Sequence, residues 1–146
     1  MEHLKFIFIV LIFIFIGGCT TGKLYYTDKS GKRNLGCDVA FTGLPSVDKF
    51  AVEYALSLCA KNFIAKGYAI DDENEYLIGV NTSIPQPPCD KKWDHSVAKA
   101  KFKQGLLSKK EYGYIVAHID LGLAEINQCE DNNEIETLKL GCKYGR

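Results

Sequence analysis

Cysteine, histidine and acidic side chains are the chemically versatile residues of this chain, and their spacing limits which chemistries are open. Cys89 and His95 stand six positions apart with His118 further on, residue types that suit a zinc ion or a thiol nucleophile served by a histidine base. Neither Cys-x-x-Cys nor His-Glu-x-x-His spacing accompanies them. Surface histidines and disulfide cysteines are the expectation, with no metal and no cofactor. The run Asp71-Asp72-Glu73-Asn74-Glu75 is acidic enough for calcium, but it lacks the Asp-x-Asp-x-Asp-Gly spacing and the distant glutamate of a calcium loop, so it reads as a solvated turn. No Gly-x-Ser-x-Gly elbow and no phosphate-cradling loop occurs, and no catalytic residue is assigned. Lysines at 91, 92, 99, 101, 103, 109 and 110 face a later segment carrying Glu125, Glu130, Asp131, Glu134 and Glu136. Such a series can meet anionic lipid heads or cell-wall polymers, or it can serve cross-strand ion pairing.

One further cysteine has a distinctive setting. Lys5 precedes an unbroken apolar run over residues 6–16, which ends in Ile16-Gly17-Gly18-Cys19. A run of roughly eleven apolar residues is short for a membrane span, which needs about 20, and suits the core of an export signal. Gly17 and Gly18 are small enough to enter a peptidase, and Cys19 then offers a thiol that can carry a lipid. Here the chain resembles bacterial lipoproteins, whose lipobox is an aliphatic residue, a small or aliphatic one, Gly or Ala, and the lipidated Cys. The resemblance implies a signal peptide over 1–18, a mature protein that starts at lipidated Cys19, and a cell-envelope location at the cell membrane or outer membrane, facing periplasm or exterior. In that class an Asp just after the Cys retains proteins at the inner membrane of enteric bacteria; Thr20 stands here, which implies the outer membrane where there is one.

Export agrees with the cysteine content. Five cysteines follow Cys19, a high number that fits an oxidising compartment, and an odd one. Cys59 falls on the apolar side of a helix, where a free thiol packs as a small hydrophobe, so it is the expected unpaired residue. Cys37 sits in a strand and Cys89 in a proline loop that needs restraint, while Cys129 and Cys142 flank the last hairpin. The expected bridges are Cys37–Cys89 and Cys129–Cys142.

Composition frames the elements that must hold these residues. The chain has 146 residues, is 47% hydrophobic and 25% charged, and carries 18 basic against 18 acidic side chains. That is the profile of one folded domain, here 23–146 behind a short polar tether at 19–22, and zero net charge gives no reason to expect a nucleic-acid partner. Residues 23–27 suit a first strand, and 28–31 a turn. Cys37, Val39 and Phe41 alternate through a second strand over 34–41. Ser46 as cap, Asp48 in the first turn and Lys66-Gly67 at the end delimit a helix over about 47–66, with Glu53, Ser57 and Lys61 as a polar stripe. Strands are expected at 68–70 and 76–82 as a hairpin around the acidic turn. An extended loop with Pro85, Pro87 and Pro88 follows, anchored by Trp93. Alternation then predicts strands at 97–103 and 114–123, the latter turning back into 135–140.

The order helix, Lys66-Gly67-Tyr68, strand, acidic turn and Tyr76-Leu77-Ile78-Gly79-Val80 is similar to the central unit of small outer-membrane lipoproteins of unknown function. The expected fold class is α+β, with one long helix packed on a mainly antiparallel sheet. The expected function is a membrane-anchored, non-enzymatic domain for protein interaction or envelope maintenance. A ligand- or polymer-binding module, acting as inhibitor or exclusion factor, and an envelope hydrolase stand as alternatives.

Overall fold

A computed structural model describes residues 18–129. The export-type apolar run, Cys142 and the hairpin partner expected at 135–140 lie outside the described residues. Strand β1 (Cys19–Thr27) and strand β2 (Arg33–Thr42) form an antiparallel hairpin. Its turn is built by Asp28, whose carboxylate accepts from the backbone N–H of Ser30 at 2.9 Å and of Lys32 at 3.1 Å. A short strand β3 (Ala69–Ile70) adds to the other edge of β1, giving the order β2-β1-β3. The tether expected at 19–22 is therefore strand: β1 pairs from its first residue, Cys19 opposite Thr42.

Helix α1 (Pro45–Ala65) lies on this sheet. Pro45 occupies the first turn, where its missing N–H costs nothing, and Leu44 rather than Ser46 is the capping residue, without a side-chain bond. The other end is as expected. Gly67, at φ +78°, donates to the Ile64 carbonyl at 2.8 Å and Tyr68 donates to that of Phe63 at 3.1 Å, so the left-handed glycine closes the helix while the two rings meet. Leu24, Val52, Leu56, Cys59, Ala60 and Leu77 form the core between α1 and the sheet, with Cys37, Val39 and Phe41 packed on it as the period-2 pattern requires. Pairing jumps from Leu24–Cys37 to Tyr25–Leu35, so Gly36 is an extra residue in β2. A Cβ there would lie 2.6 Å from the Phe63 ring.

After β3 the chain departs from the expected hairpin. Asp71 is drawn to Arg33, whose Nη2 donates at 2.6 Å, and residues 72–74 form a short 3₁₀ turn. The strand expected at 76–82 is a single helical turn, α2 (Tyr76–Gly79), which drops Leu77 wholly into the core. The proline loop is irregular as expected, and buried Trp93 anchors it through an Nε1–H bond of 2.8 Å to the Pro85 carbonyl.

The strands expected at 97–103 and 114–123 are helices α3 (His95–Lys103) and α4 (Lys109–Asp120). Asp94 caps α3 by accepting from the N–H groups of Ser96 and Val97 at 2.8 and 2.9 Å. Ser108 and Glu111 form a reciprocal capping box at the start of α4. Alternation misleads in α4 because the helix is covered on two sides. Tyr114 and Ala117 pack on α1, whereas Ile115 and Ile119 pack towards Trp93 and α3, so apolar residues recur faster than one helical face would require. Leu121 and Leu123, which the strand pattern put in the core, are exposed. The coarse class, α+β with a three-stranded antiparallel sheet, holds. The long helix expected on the sheet is α1, and three further helices join it, so that α1 is sandwiched between the sheet and α4.

The bridges also differ from expectation. Cys37 pairs with Cys59, at a Cα separation of 6.6 Å, and Cys89 pairs with Cys129, at 5.3 Å. The apolar position of Cys59, which argued for a buried free thiol, is what sets it against β2 and its inward-facing Cys37. Cys89 is restrained as expected, but by the segment after α4. There Asp90 donates to the Asn127 carbonyl and Asn127 to that of Lys91, both at 2.9 Å.

Candidate functional site

The residues singled out in the sequence do not form one centre. Cys89 is consumed in its disulfide. His95 opens α3 and sets its Nε2 2.9 Å from the Asp120 carboxylate, whereas the His118 Nδ1 lies 2.8 Å from the Tyr54 hydroxyl between α1 and α4. The thiol–histidine arrangement is therefore not assembled. No group of three or more potential metal ligands occurs among the described residues. Cys19 is exposed, with no sulfur bond among the described residues.

Two sites of concentrated chemistry do emerge. The first is the seam between α1 and α4. Glu53 accepts from the Tyr114 hydroxyl and from Lys110 Nζ, the latter at 3.1 Å. Burial works against the Glu53 charge, yet the Tyr114 and Lys110 bonds outweigh it and hold the carboxyl below its usual range. Burial and the Glu53 bond push Tyr114 up to about 12. Burial also holds His118 below the usual histidine value, so its neutral form is favoured beside Tyr54. The expected polar stripe of α1 is used inside the protein: the Ser57 hydroxyl donates to the Glu53 carbonyl at 2.6 Å, and Lys61 to the Val80 carbonyl at 2.6 Å.

The second site is a cavity of about 370 Å³ where four elements meet. Thr42 and Leu44 line it from the end of β2 and the following turn, Asp48 from the first turn of α1, His95 and Lys99 from α3, and Tyr112 from α4. Asp48 is 5% exposed, and its Oδ2 is buried without a hydrogen-bond partner among the described residues. Burial pushes its carboxyl up, partly offset by a bond from the Gly43 backbone. An isolated buried carboxylate oxygen is costly, by about 1–3 kcal/mol or more. Lys99 is exposed at the same cavity and in no ion pair among the described residues. Only the helix-dipole role of Asp48 was readable beforehand. The convergence of α3 and α4 on it has no local signal, because those segments read as strands.

The lysine series is dispersed rather than aligned. Lys99, Lys101 and Lys103 lie on α3, Lys110 is bound to Glu53, and Lys91 and Lys92 line a shallow groove with Asp94 and Glu125. No helix among the described residues is long and apolar enough to cross a membrane. No protein-family model, curated protein or solved structure matches the chain.

Proposed function

We propose that this chain is a lipid-anchored protein of the cell envelope, exported by its N-terminal apolar segment, lipidated on Cys19, and presenting a small non-enzymatic domain for protein interaction or envelope maintenance. The observation that carries this reading is the sequence motif itself, Lys5, the apolar run over 6–16 and Ile16-Gly17-Gly18-Cys19 in that order. Ile16-Gly17-Gly18-Cys19 puts the cut before Cys19, and β1 begins at Cys19, so cleavage would leave that strand whole. The two disulfides support an oxidising compartment. A second reading, a ligand-binding module, is favoured by the cavity with the unpartnered Asp48 oxygen.

Burial of an acyl chain contributes about 0.8 kcal/mol per CH₂, and one chain binds only marginally, so the two or three chains usual for this class would hold the protein permanently. Intact-mass measurement of the mature protein should find Cys19 as its first residue with lipid attached. The Cys19→Ser protein should move from the membrane to the soluble fraction. Mature protein that starts at Met1, or an unmodified Cys19, would sink the proposal.

A further inference from the structure

We propose that the turn joining α3 to α4 is a second contact with the membrane: exposed Leu106 enters the interface of an anionic bilayer, while Lys103 and Lys109 on either side meet the lipid phosphates. The choice of a bilayer rests on the anchoring proposed above; the make-up of the turn does not. Helix α3 closes in a Schellman arrangement, in which Gly105, at φ +73°, donates to the Phe102 carbonyl and Leu106 donates to the Lys101 carbonyl, both at 3.0 Å. The apolar residue at that place ordinarily packs back on the helix, against positions held here by Lys101 and exposed Ala100. Leu106 is therefore left 62% exposed, while Leu107 turns inward and packs with Trp93 and Ile115. The base of the turn is braced, because the Phe102 and Tyr112 rings stack at 4.5 Å across the two helices.

Charge around this leucine has one sign. Residues 95–110 hold five lysines and no acidic side chain. Lys103 and Lys109 are exposed, each three residues from Leu106 and so within about 11 Å of it at Cα, and neither is in an ion pair among the described residues. The nearest acids are engaged elsewhere: Glu53 holds Lys110, and Glu111 accepts from the Ser108 N–H at 2.8 Å. Asp120, at the other end of the helical hairpin, is bound to His95. An exposed leucine between cations complements a surface that is apolar within and anionic outside, which is an anionic bilayer; a soluble polyanion has no use for the leucine. Position agrees. Lys99 and Tyr112 line the cavity together with Thr42, the strand partner of Cys19, and Lys103 and Lys109 stand about one helical turn from them. One leucine and two lysines bind weakly by themselves, but an anchor on Cys19 makes the contact intramolecular and so able to orient the domain.

The test uses the protein from residue 19 with Cys19→Ser, which keeps every described element and removes the anchor. Sedimentation with concentrated phosphatidylcholine vesicles should show binding only when phosphatidylglycerol is included, and that binding should fall as salt rises. Leu106→Asp should weaken it about tenfold or more, and Lys103→Ala and Lys109→Ala about fivefold each. Lys32→Ala, in the β1–β2 turn, should leave it unchanged. In the parent protein a spin-labelled lipid in the same membranes should broaden the amide signals of Gly105 and Leu106 more than that of Gly31, a reading that needs no variant to fold. Binding that is absent, that is equal on neutral and anionic vesicles, or that survives Leu106→Asp undiminished would overturn the proposal, as would equal broadening at Gly31. Binding of long-chain polyphosphate without vesicle binding would overturn it by giving the lysines to a polymer, and lipid-free self-association abolished by Leu106→Asp by giving the turn to a second copy. None of these outcomes depends on whether Cys19 carries a lipid in the cell, which the mass measurement decides separately.

Discussion

The two sides of α1 are both buried, and they are built from different materials. Towards the sheet it sets Val52, Leu56, Cys59 and Ala60 against Leu24, and a disulfide to Cys37 joins the layers. Towards α4 it sets Ala51 and Tyr54 against Tyr114 and Ala117, with Glu53, Lys110 and His118 completing a polar edge. The first contact is aliphatic and covalent, so pH has little hold on it. The second depends on groups that titrate and on a close backbone approach. A small domain can thus fasten one helix by burial alone and another through bonds that its surroundings can weaken.

Breaking the aliphatic side should have the largest effect. Leu24 is fully buried at the centre of that core, and Leu24→Ala should cost about 2–5 kcal/mol, read from the urea midpoint. Removing the bridge with Cys37→Ala and Cys59→Ala together should cost about 3 kcal/mol in the chain-entropy model for a separation of 22 residues. The bridges should also differ in access. Cys59 is 8% exposed, whereas Cys89 and Cys129 lie at the surface, so mild reductant followed by peptide mapping should open Cys89–Cys129 first. Simultaneous opening would erase that contrast.

On the other side the sensitive position is Gly113. A Cβ there would stand 2.7 Å from the Val47 carbonyl oxygen and 2.8 Å from the Phe50 Cβ, atoms that cannot swing aside. Gly113→Ala should therefore push α4 from α1 and cost about 1–3 kcal/mol, with amide exchange rising in α4 more than in β1. The smallest effect concerns pH. The folded-state pKa of Glu53 is lowered, so its contribution is present above the unfolded value of about 4.5 and is lost as pH falls through the folded one. The folded-state pKa of His118 is lowered too, so the unfolded chain takes up a proton first and stability declines as pH drops below about 6.5. Thermal melts from neutral towards pH 3 should show a downward slope in both windows. Glu53→Gln should flatten the lower window alone, and an unchanged slope there would remove Glu53 from the seam's energetics.

Local signals were legible where one residue's backbone behaviour or one face was at stake. Gly67 marked the end of α1, and Cys37, Val39 and Phe41 marked the inner face of β2, because each of these needs only its immediate neighbours. The capping box Ser108-Lys109-Lys110-Glu111 is an equally local signal of α4, but the alternation that follows it was read as a strand instead. What alternation could not reveal was that α4 is covered on both sides, by α1 at Tyr114 and Ala117 and by the Trp93 region at Ile115 and Ile119. A helix apolar on two faces loses the 3.6-residue stripe that would betray it.

Pairings across the fold belong to tertiary structure for a similar reason. Cys59 on an apolar helix face is compatible with a free thiol or a bridge, and only the seating of α1 on β2 brings Cys37 within reach. Asp48 reads as a favourable charge at a helix start, and it becomes an unsatisfied group lining a cavity only once β2, α3 and α4 close around it. The sequence by itself determined the cysteine supply, the turn chemistry and the Ile16-Gly17-Gly18-Cys19 motif, all of which are properties of adjacent residues. Which cysteines meet, which carboxylate is left without a donor, and how little chain separates Cys19 from that cavity were decided by packing, because distance and burial are set by elements far apart along the chain.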